Sequence, residues 1–351
     1  MRYTTFGHRT GLRVSEYALG TANFGTRWGA GAEPAEARRI FDRFAEAGGT
    51  FLDTADTYQF GESEELTGKL VGADRDHFVL ATKFALGAAP QPGISTTGNS
   101  RKNMAASVEA SLKRLGTDHI DLLWVHFPDQ LTPMEEILRG LDDLVSAGKI
   151  HHAGLSNFPA WRVSRAATLA DLRNWAPVVG VQHEYSLVER TADRELLPMA
   201  ESLGLGAALW SPLGGGLLTG KYRSGAEGRL TDLGAVIHTE STGQKTAVVD
   251  AVLAVAEEIG APPAQVAVAW VRERAARSAT TLVPIIGPRG LAQLDSYLDA
   301  LDVELTPAQF ARLSEVSAVP LGAPHEAIAG SLGGLQGGDA GRVVAPVAPV
   351  A

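Results

Sequence analysis

One pattern recurs eight times along this chain. A short apolar run leads through a polar turn into a segment with apolar residues at helical spacing. The runs, read as strands, are Tyr17–Thr21, Thr50–Asp53, Phe78–Lys83, Ile120–His126, His152–Ser156, Val178–Gln182, Gly206–Trp210 and Thr281–Ile286. The helices expected after them are Pro34–Ala47, Glu62–Val71, Asn103–Leu115, a helix opening at Thr132, Ala160–Leu172, Ala192–Leu203, stretches within Thr246–Glu273, and Leu291–Leu301. In the first, Ala37, Ile40, Phe41, Phe44 and Ala45 share one face. The strands are continuously apolar, as expected where both faces are buried. Strand–helix alternation implies a parallel sheet. Eight units predict an α/β protein closed into a (β/α)8 TIM barrel, with an open doubly wound sheet as the structural rival.

Local signals bound the elements. Arg2–Val14 reads as a hairpin around Gly7–Gly11. Thr132, Pro133 and Glu135 read as a capping box, with Pro133 the first helical residue. A further helix, Thr306–Val316, opens with Thr-Pro-x-Gln. The barrel is expected to occupy residues 1–317 as one domain. Residues 318–351 form a C-terminal segment of Gly, Ala, Pro and Val, expected to be a flexible tail from about Gly330.

Composition narrows the function. A net charge of -9 argues against nucleic acid and anionic membranes as partners. The absence of cysteine excludes disulfides, thiol nucleophiles and Cys-ligated metals. The N-terminus lacks a signal-peptide apolar region, and no apolar run reaches the ~18 residues that span a bilayer. The expectation is a soluble cytoplasmic protein.

In a barrel the active site lies at the C-terminal ends of the strands. In order, those ends carry Gly20-Thr21, Asp53, Lys83, His126, Ser156-Asn157, Gln182, Trp210-Ser211, and Gly287 with Arg289. Each has a bland reading. Asp53 alone is a turn residue, as Asp56 is taken to be. His126 alone is a core histidine, and Tyr58, Trp124 and Trp210 alone are packing aromatics. His183 and the pair His151-His152 read as decoys. Lys83 is the hardest to dismiss, because a buried lysine is costly without a partner.

Several motifs are missing. No G-x-G-x-x-G follows a strand, and there is no H-E-x-x-H, no H-x-H at the first strand end and no G-x-S-x-G. Gly215–Lys221 has P-loop spacing, but Tyr222 stands where Ser or Thr would hold Mg²⁺. The loop is left able to cradle a phosphate.

Together these segments resemble the aldo-keto reductase superfamily, from about Arg2 to Ser317, nearer its channel-β-like and bacterial branches. F-L-D-T-A-D-T-Y at Phe51–Tyr58 resembles the strand-two signature, and G-L-S-N-F at Gly154–Phe158 the nicotinamide-carboxamide segment. S-P-L-G-G-G-L-L-T-G-K at Ser211–Lys221 resembles the pyrophosphate loop, and I-I-G-P-R-G-L-A-Q-L at Ile285–Leu294 the 2'-phosphate segment. The resemblance implies Asp53, Tyr58, Lys83 and His126 as catalytic residues. It implies Gly20, Thr21, Ser156, Asn157, Gln182, Trp210, Ser211, Pro212, Leu213, Gly216, Lys221, Gly287, Arg289 and Gln293 as cofactor-binding residues. Ser296 and Tyr297 replace the family's Glu-Asn pair near the adenine.

The implied activity is NADPH-dependent reduction of an aldehyde, ketone or sugar carbonyl, with NADPH preferred to NADH and no metal. Tyr58 would donate the proton, assisted by Lys83, with Asp53 pairing Lys83 and His126 orienting the oxygen. Two rivals stand beside it: a cofactor-binding regulatory protein like the potassium-channel β-subunits, and a Schiff-base lyase using Lys83. Loops Asn23–Gly31, Phe84–Ser100, Lys221–Gln244 and Ala318–Ile328 are expected at the substrate entrance. Trp28, Phe24, Phe60 and Phe127 are expected to supply an apolar wall. Oligomeric state is left open.

Overall fold

The structure is a computed structural model describing residues 1–224, 238–344 and 346–350. Two short antiparallel strands, β1 (Tyr3–Thr5) and β2 (Arg13–Ser15), form the N-terminal hairpin. Eight parallel strands follow: β3 (Ala18–Gly20), β4 (Phe51–Asp53), β5 (Val79–Phe84), β6 (Ile120–Val125), β7 (Ile150–Ser156), β8 (Val178–Glu184), β9 (Gly206–Trp210) and β10 (Leu282–Ile286). They lie in chain order, and β10 pairs with both β9 and β3. The sheet is therefore a closed barrel, and the doubly wound alternative is excluded.

Helices surround it. They are α1 (Pro34–Glu46), α2 (Glu62–Val71), α3 (Arg101–Leu115), α4 (Met134–Ser146), α5 (Ala160–Arg173), α6 (Leu196–Leu203), α7 (Gly243–Ile259), α8 (Pro263–Ala276), α9 (Leu291–Asp299), α10 (Pro307–Val316) and α11 (His325–Leu335). Outward strand residues such as Leu19, Leu52, Leu80 and Leu123 pack against Phe44, Ile137 and Val163 of the helices. Inward residues fill the barrel together with Phe6 and Val14 of the hairpin. Phe6 meets Phe51 and Trp124 edge-on, at 5.8 and 6.1 Å between centroids. Small residues make the room. A Cβ at Gly180 would stand 2.4 Å from the Phe6 ring, and one at Gly154 2.3 Å from Trp124. The closed end is thus plugged, and the open end is left for chemistry.

Two local expectations are corrected. Thr132 does not cap α4. Its amide and hydroxyl both donate to Asp129, and Pro133 is the N-cap with no side-chain cap bond. Residues 192–195 do not join α6, because Thr191–Asp193 close a tighter 3-10 turn first. In the C-terminal segment, α11 spans His325–Leu335. The Thr306 capping box is present, as expected. Most of the Lys221–Gln244 loop, residues 225–237, lies outside the described residues. No described helix is long and apolar enough to cross a membrane.

Candidate active site

The sequence puts Asp53 at the end of β4 and Lys83 near the end of the adjacent β5. Lys83 is completely buried. An ammonium has three N–H donors, and all three are used. One goes to Asp53 Oδ2 at 2.5 Å, one to the Thr54 carbonyl at 2.7 Å and one to the Tyr58 hydroxyl at 3.1 Å. Burial pulls the lysine pKa down, but the Asp53 carboxylate and then Tyr58 outweigh it and hold Lys83 above its ordinary value. The other Asp53 oxygen accepts from Gln182 Nε2 at 2.8 Å. The carboxylate is thereby fixed from both sides.

Tyr58 opens a tight turn, Tyr58–Gly61, whose next two residues are left-handed: Gln59 at φ 51° and Phe60 at φ 53°. Such a conformation persists in non-glycine residues only where the surroundings hold it. Here the buried Gln59 side chain does so. It accepts from the Trp28 amide at 2.7 Å and donates to the carbonyls of Ala30 and Ala22. Glu62 adds bonds from the amides of Thr26 and Arg27. The loop before α1 is stitched to the turn that carries Tyr58. Sequence reasoning missed Gln59, since nothing in Y-Q-F-G announces an inward-facing amide.

His126 follows β6 and is 7% exposed. Burial, and secondarily the Lys83 charge, push its pKa well below the ordinary histidine value, so it is neutral. Its Nδ1 is sealed without a partner, which leaves Nε2 for the cleft. The Tyr58 and His126 rings meet edge-on at 5.9 Å. Phe127 stacks on His126, and Trp28 meets Tyr58 edge-on at 6.1 Å. Phe60 packs edge-on against Trp28. Phe24 is different: it is fully buried in the outer core and forms no cleft wall.

Tyr58, His126 and Phe127 border one cleft of about 910 Å³, with Trp28 and Phe60 packed behind Tyr58. Gly20, Asn157, Gln182, Trp210, Ser211, Pro212, Leu213, Gly216, Lys221, Gly287, Arg289 and Gln293 also line it, as do Asp53, Tyr58 and His126. Lys83, Thr21 and Ser156 stand behind the wall. The Thr21 hydroxyl is engaged with Ser63 and the Asp53 carbonyl, and Ser156 Oγ accepts from Asn157. Ser296 and Tyr297 line the far end.

The donor set fits a phosphate-bearing dinucleotide. Near Asp53, Tyr58 and His126 are the side-chain amides of Asn157 and Gln182 and the Trp210 side chain. Farther along, Gly214, Gly215 and Gly216 run left-handed at φ 55°, 67° and 95°. A Cβ on Gly214 would stand 2.4 Å from Val188, so this backbone requires glycine there. The Tyr222 hydroxyl donates to the Gly215 carbonyl at 2.8 Å, bracing the loop. Lys221 and Arg289 add positive charge to the same wall.

Asp56 overturns its reading as a plain turn residue. It is 2% exposed, and its Oδ1 has no partner. Burial and then the Glu64 charge raise its pKa to about 7. Glu64 is itself fully buried, accepting from Thr82 Oγ1 at 2.5 Å and Arg114 Nε at 2.6 Å. His183 is a core histidine away from the cleft, pushed down to about 4 by burial.

Fold and site together define a (β/α)8 barrel whose open end carries a lysine-supported tyrosine in a long dinucleotide-sized cleft. The chain belongs to the aldo/keto reductase family, which it matches over residues 17–318. That membership makes it an oxidoreductase. It is 38% identical to the uncharacterized oxidoreductase YrpG of Bacillus subtilis, covering 94% of this chain and 100% of that protein. It is 35% identical to an aryl-alcohol dehydrogenase [NADP(+)] of Phanerodontia chrysosporium, covering 90% and 86%. It is 33% identical to a putative voltage-gated potassium channel subunit beta of Schizosaccharomyces pombe, covering 88% and 91%.

Proposed function

We propose that this protein is an NADPH-dependent carbonyl reductase with Tyr58 as its proton donor. The observation that carries the reading is the full engagement of Lys83, which presents a charged N–H to the Tyr58 oxygen at 3.1 Å. When bound, the reduced nicotinamide supplies the hydride. Tyr58 gives its hydroxyl proton to the carbonyl oxygen of the substrate. The Lys83 N–H stabilises the phenolate left behind, and Asp53 keeps Lys83 charged and in place. Neutral His126 offers Nε2–H to the same oxygen and holds developing negative charge. Asn157, Gln182 and Trp210 would orient the nicotinamide. Gly214–Gly216 and Lys221 would hold the pyrophosphate, and Arg289 with Gln293 the 2'-phosphate.

The aromatic wall of Tyr58 and Phe127, with Trp28 packed edge-on against Tyr58, favours aryl aldehydes and ketones over sugars, in keeping with the name of the fungal relative. The lyase reading needs a neutral lysine nucleophile, whereas every Lys83 N–H is bonded and its charged form is favoured. A purely regulatory role would leave the complete Asp53–Lys83–Tyr58–His126 set without use. The test is NADPH oxidation with a panel of aryl, alkyl and sugar carbonyls. Tyr58→Phe should bind NADPH normally and lose turnover by orders of magnitude. Near-wild-type turnover in that variant, or no oxidation with any carbonyl by the unaltered protein, overturns the reading.

A further inference from the structure

The plugged end of the barrel carries a second cluster of chemistry-bearing side chains. His151 on β7 lies across from Asp121 on β6, between the paired positions Ile120↔Ile150 and Leu122↔His152. His119 precedes Asp121 by two residues and shares its side of the sheet. Leu122 and Trp124 fill the barrel, so Asp121 and its two histidines face outward. The adjacent His152 is bonded instead to Thr10 of the hairpin, at 3.3 Å. The sequence pair His151-His152 is thus split between two environments.

We propose that His119, Asp121 and His151 bind one divalent first-row transition ion of the Zn(II) class. One ligand atom from each lies within 4.8 Å of the others. Two of the three are held ready by neighbours. Asp121 Oδ2 accepts the Leu80 amide and pairs with Arg75, both at 2.8 Å. That leaves Oδ1 turned toward His151 Nδ1 at 3.5 Å. His119 Nδ1 is 2.7 Å from the Asp118 carboxylate. This carboxylate–imidazole pair fixes the tautomer and strengthens Nε2 as a ligand. The His119 and His151 rings are stacked at 4.6 Å, and His151 is half-exposed and able to turn.

Two imidazoles and a carboxylate suit zinc, cobalt, nickel or copper better than magnesium or calcium, which prefer oxygen ligands. Three protein ligands leave one position for water. Arg75 shares the carboxylate and lowers its effective charge. The site should therefore bind more weakly than a closed four-ligand structural zinc site. Asp121 lies five strand residues from His126, about 17 Å along β6, so the ion would tie β6 to β7 without touching the catalytic end.

The test is titration of chelator-stripped full-length protein with Zn²⁺, and with Co²⁺ followed by visible absorption. One ion per chain is expected, with a rise in the unfolding midpoint. His119→Ala and His151→Ala should each weaken binding by about tenfold or more, and the double variant should lose both the midpoint rise and the cobalt spectrum. His325→Ala, distant in the fold, should bind as the unaltered protein does. All four variants change partly or largely exposed residues, and circular dichroism verifies their folding. Failure to bind below millimolar zinc overturns the proposal, as does binding that survives the double substitution. Carbonyl turnover does not enter the readout.

Discussion

Lys83 Nζ stands 3.1 Å from the Tyr58 oxygen and 2.5 Å from Asp53, entirely out of water. The ammonium that donates to the phenol also neutralises a buried carboxylate, so under the proposed mechanism stability and chemistry share one group. Lys83→Met should abolish carbonyl turnover and destabilise the protein by about 3–5 kcal/mol, because Asp53 is left buried and unpaired. Adding Asp53→Asn should recover much of the stability and none of the activity. Denaturant unfolding and NADPH oxidation on the three proteins check this; restored turnover in the double variant would remove Lys83 from the chemistry.

Gln59 separates positioning from packing. Gln59→Leu keeps bulk but loses the bonds to Trp28, Ala30 and Ala22 while retaining left-handed backbone strain. Gln59→Gly relieves the strain and loses the same bonds. Both should lower kcat by about tenfold or more through a misplaced Tyr58, with NADPH affinity unchanged. Stability should differ between them, the glycine variant unfolding at the higher temperature of the two. A kcat equal to that of the unaltered protein in both would show that the loop leaves Tyr58 in place without Gln59.

The barrel was legible because its signals are local and repeated: apolar runs, helical spacing, and polar residues at one end of each strand. Asp53, Lys83 and His126 around Tyr58 were legible because strand-end position maps onto one face of a closed barrel. What was hidden depends on contacts far apart in sequence. Asp56 reads like any turn aspartate until Glu64 and Arg114 are seen beside it. Gln59 gains its role only from a loop about thirty residues earlier. Thr132 has the sequence of a cap, yet Asp129 reaches its amide and hydroxyl first. Phe24 and Phe127 look alike in sequence, but one lies in the core and the other on the cleft.

Arg289 tests the cofactor preference. It lines the cleft, and its backbone amide donates to Gln293 Oε1 at 2.8 Å, tying the segment to the start of α9. A charge-assisted hydrogen bond to phosphate is worth about 1.5–3 kcal/mol. Arg289→Ala should therefore weaken NADPH by roughly 10- to 100-fold and leave NADH nearly unchanged. Fluorescence titration with both nucleotides decides it, and equal weakening would remove the 2'-phosphate role.

Asp56 gives a pH signature to stability. Its pKa is about 7 in the fold against an ordinary value of 3.8, raised by burial and then by Glu64, and opposed by Arg114, the Thr57 amide and Lys83. Below the lower value both folded and unfolded chains hold the proton, and the contribution is constant. Between the two, the folded protein keeps a proton that the unfolded chain has released, so stability falls as pH rises. Above about 7 the loss levels off, at no more than about 4 kcal/mol. Asp56→Asn retains an acceptor for the Thr57 amide and removes the titration. Its unfolding midpoint should exceed that of the unaltered protein at about pH 8, with the gap closing toward about pH 4. Parallel pH dependence in the two proteins would mean that Asp56 is ionised in the fold throughout this range.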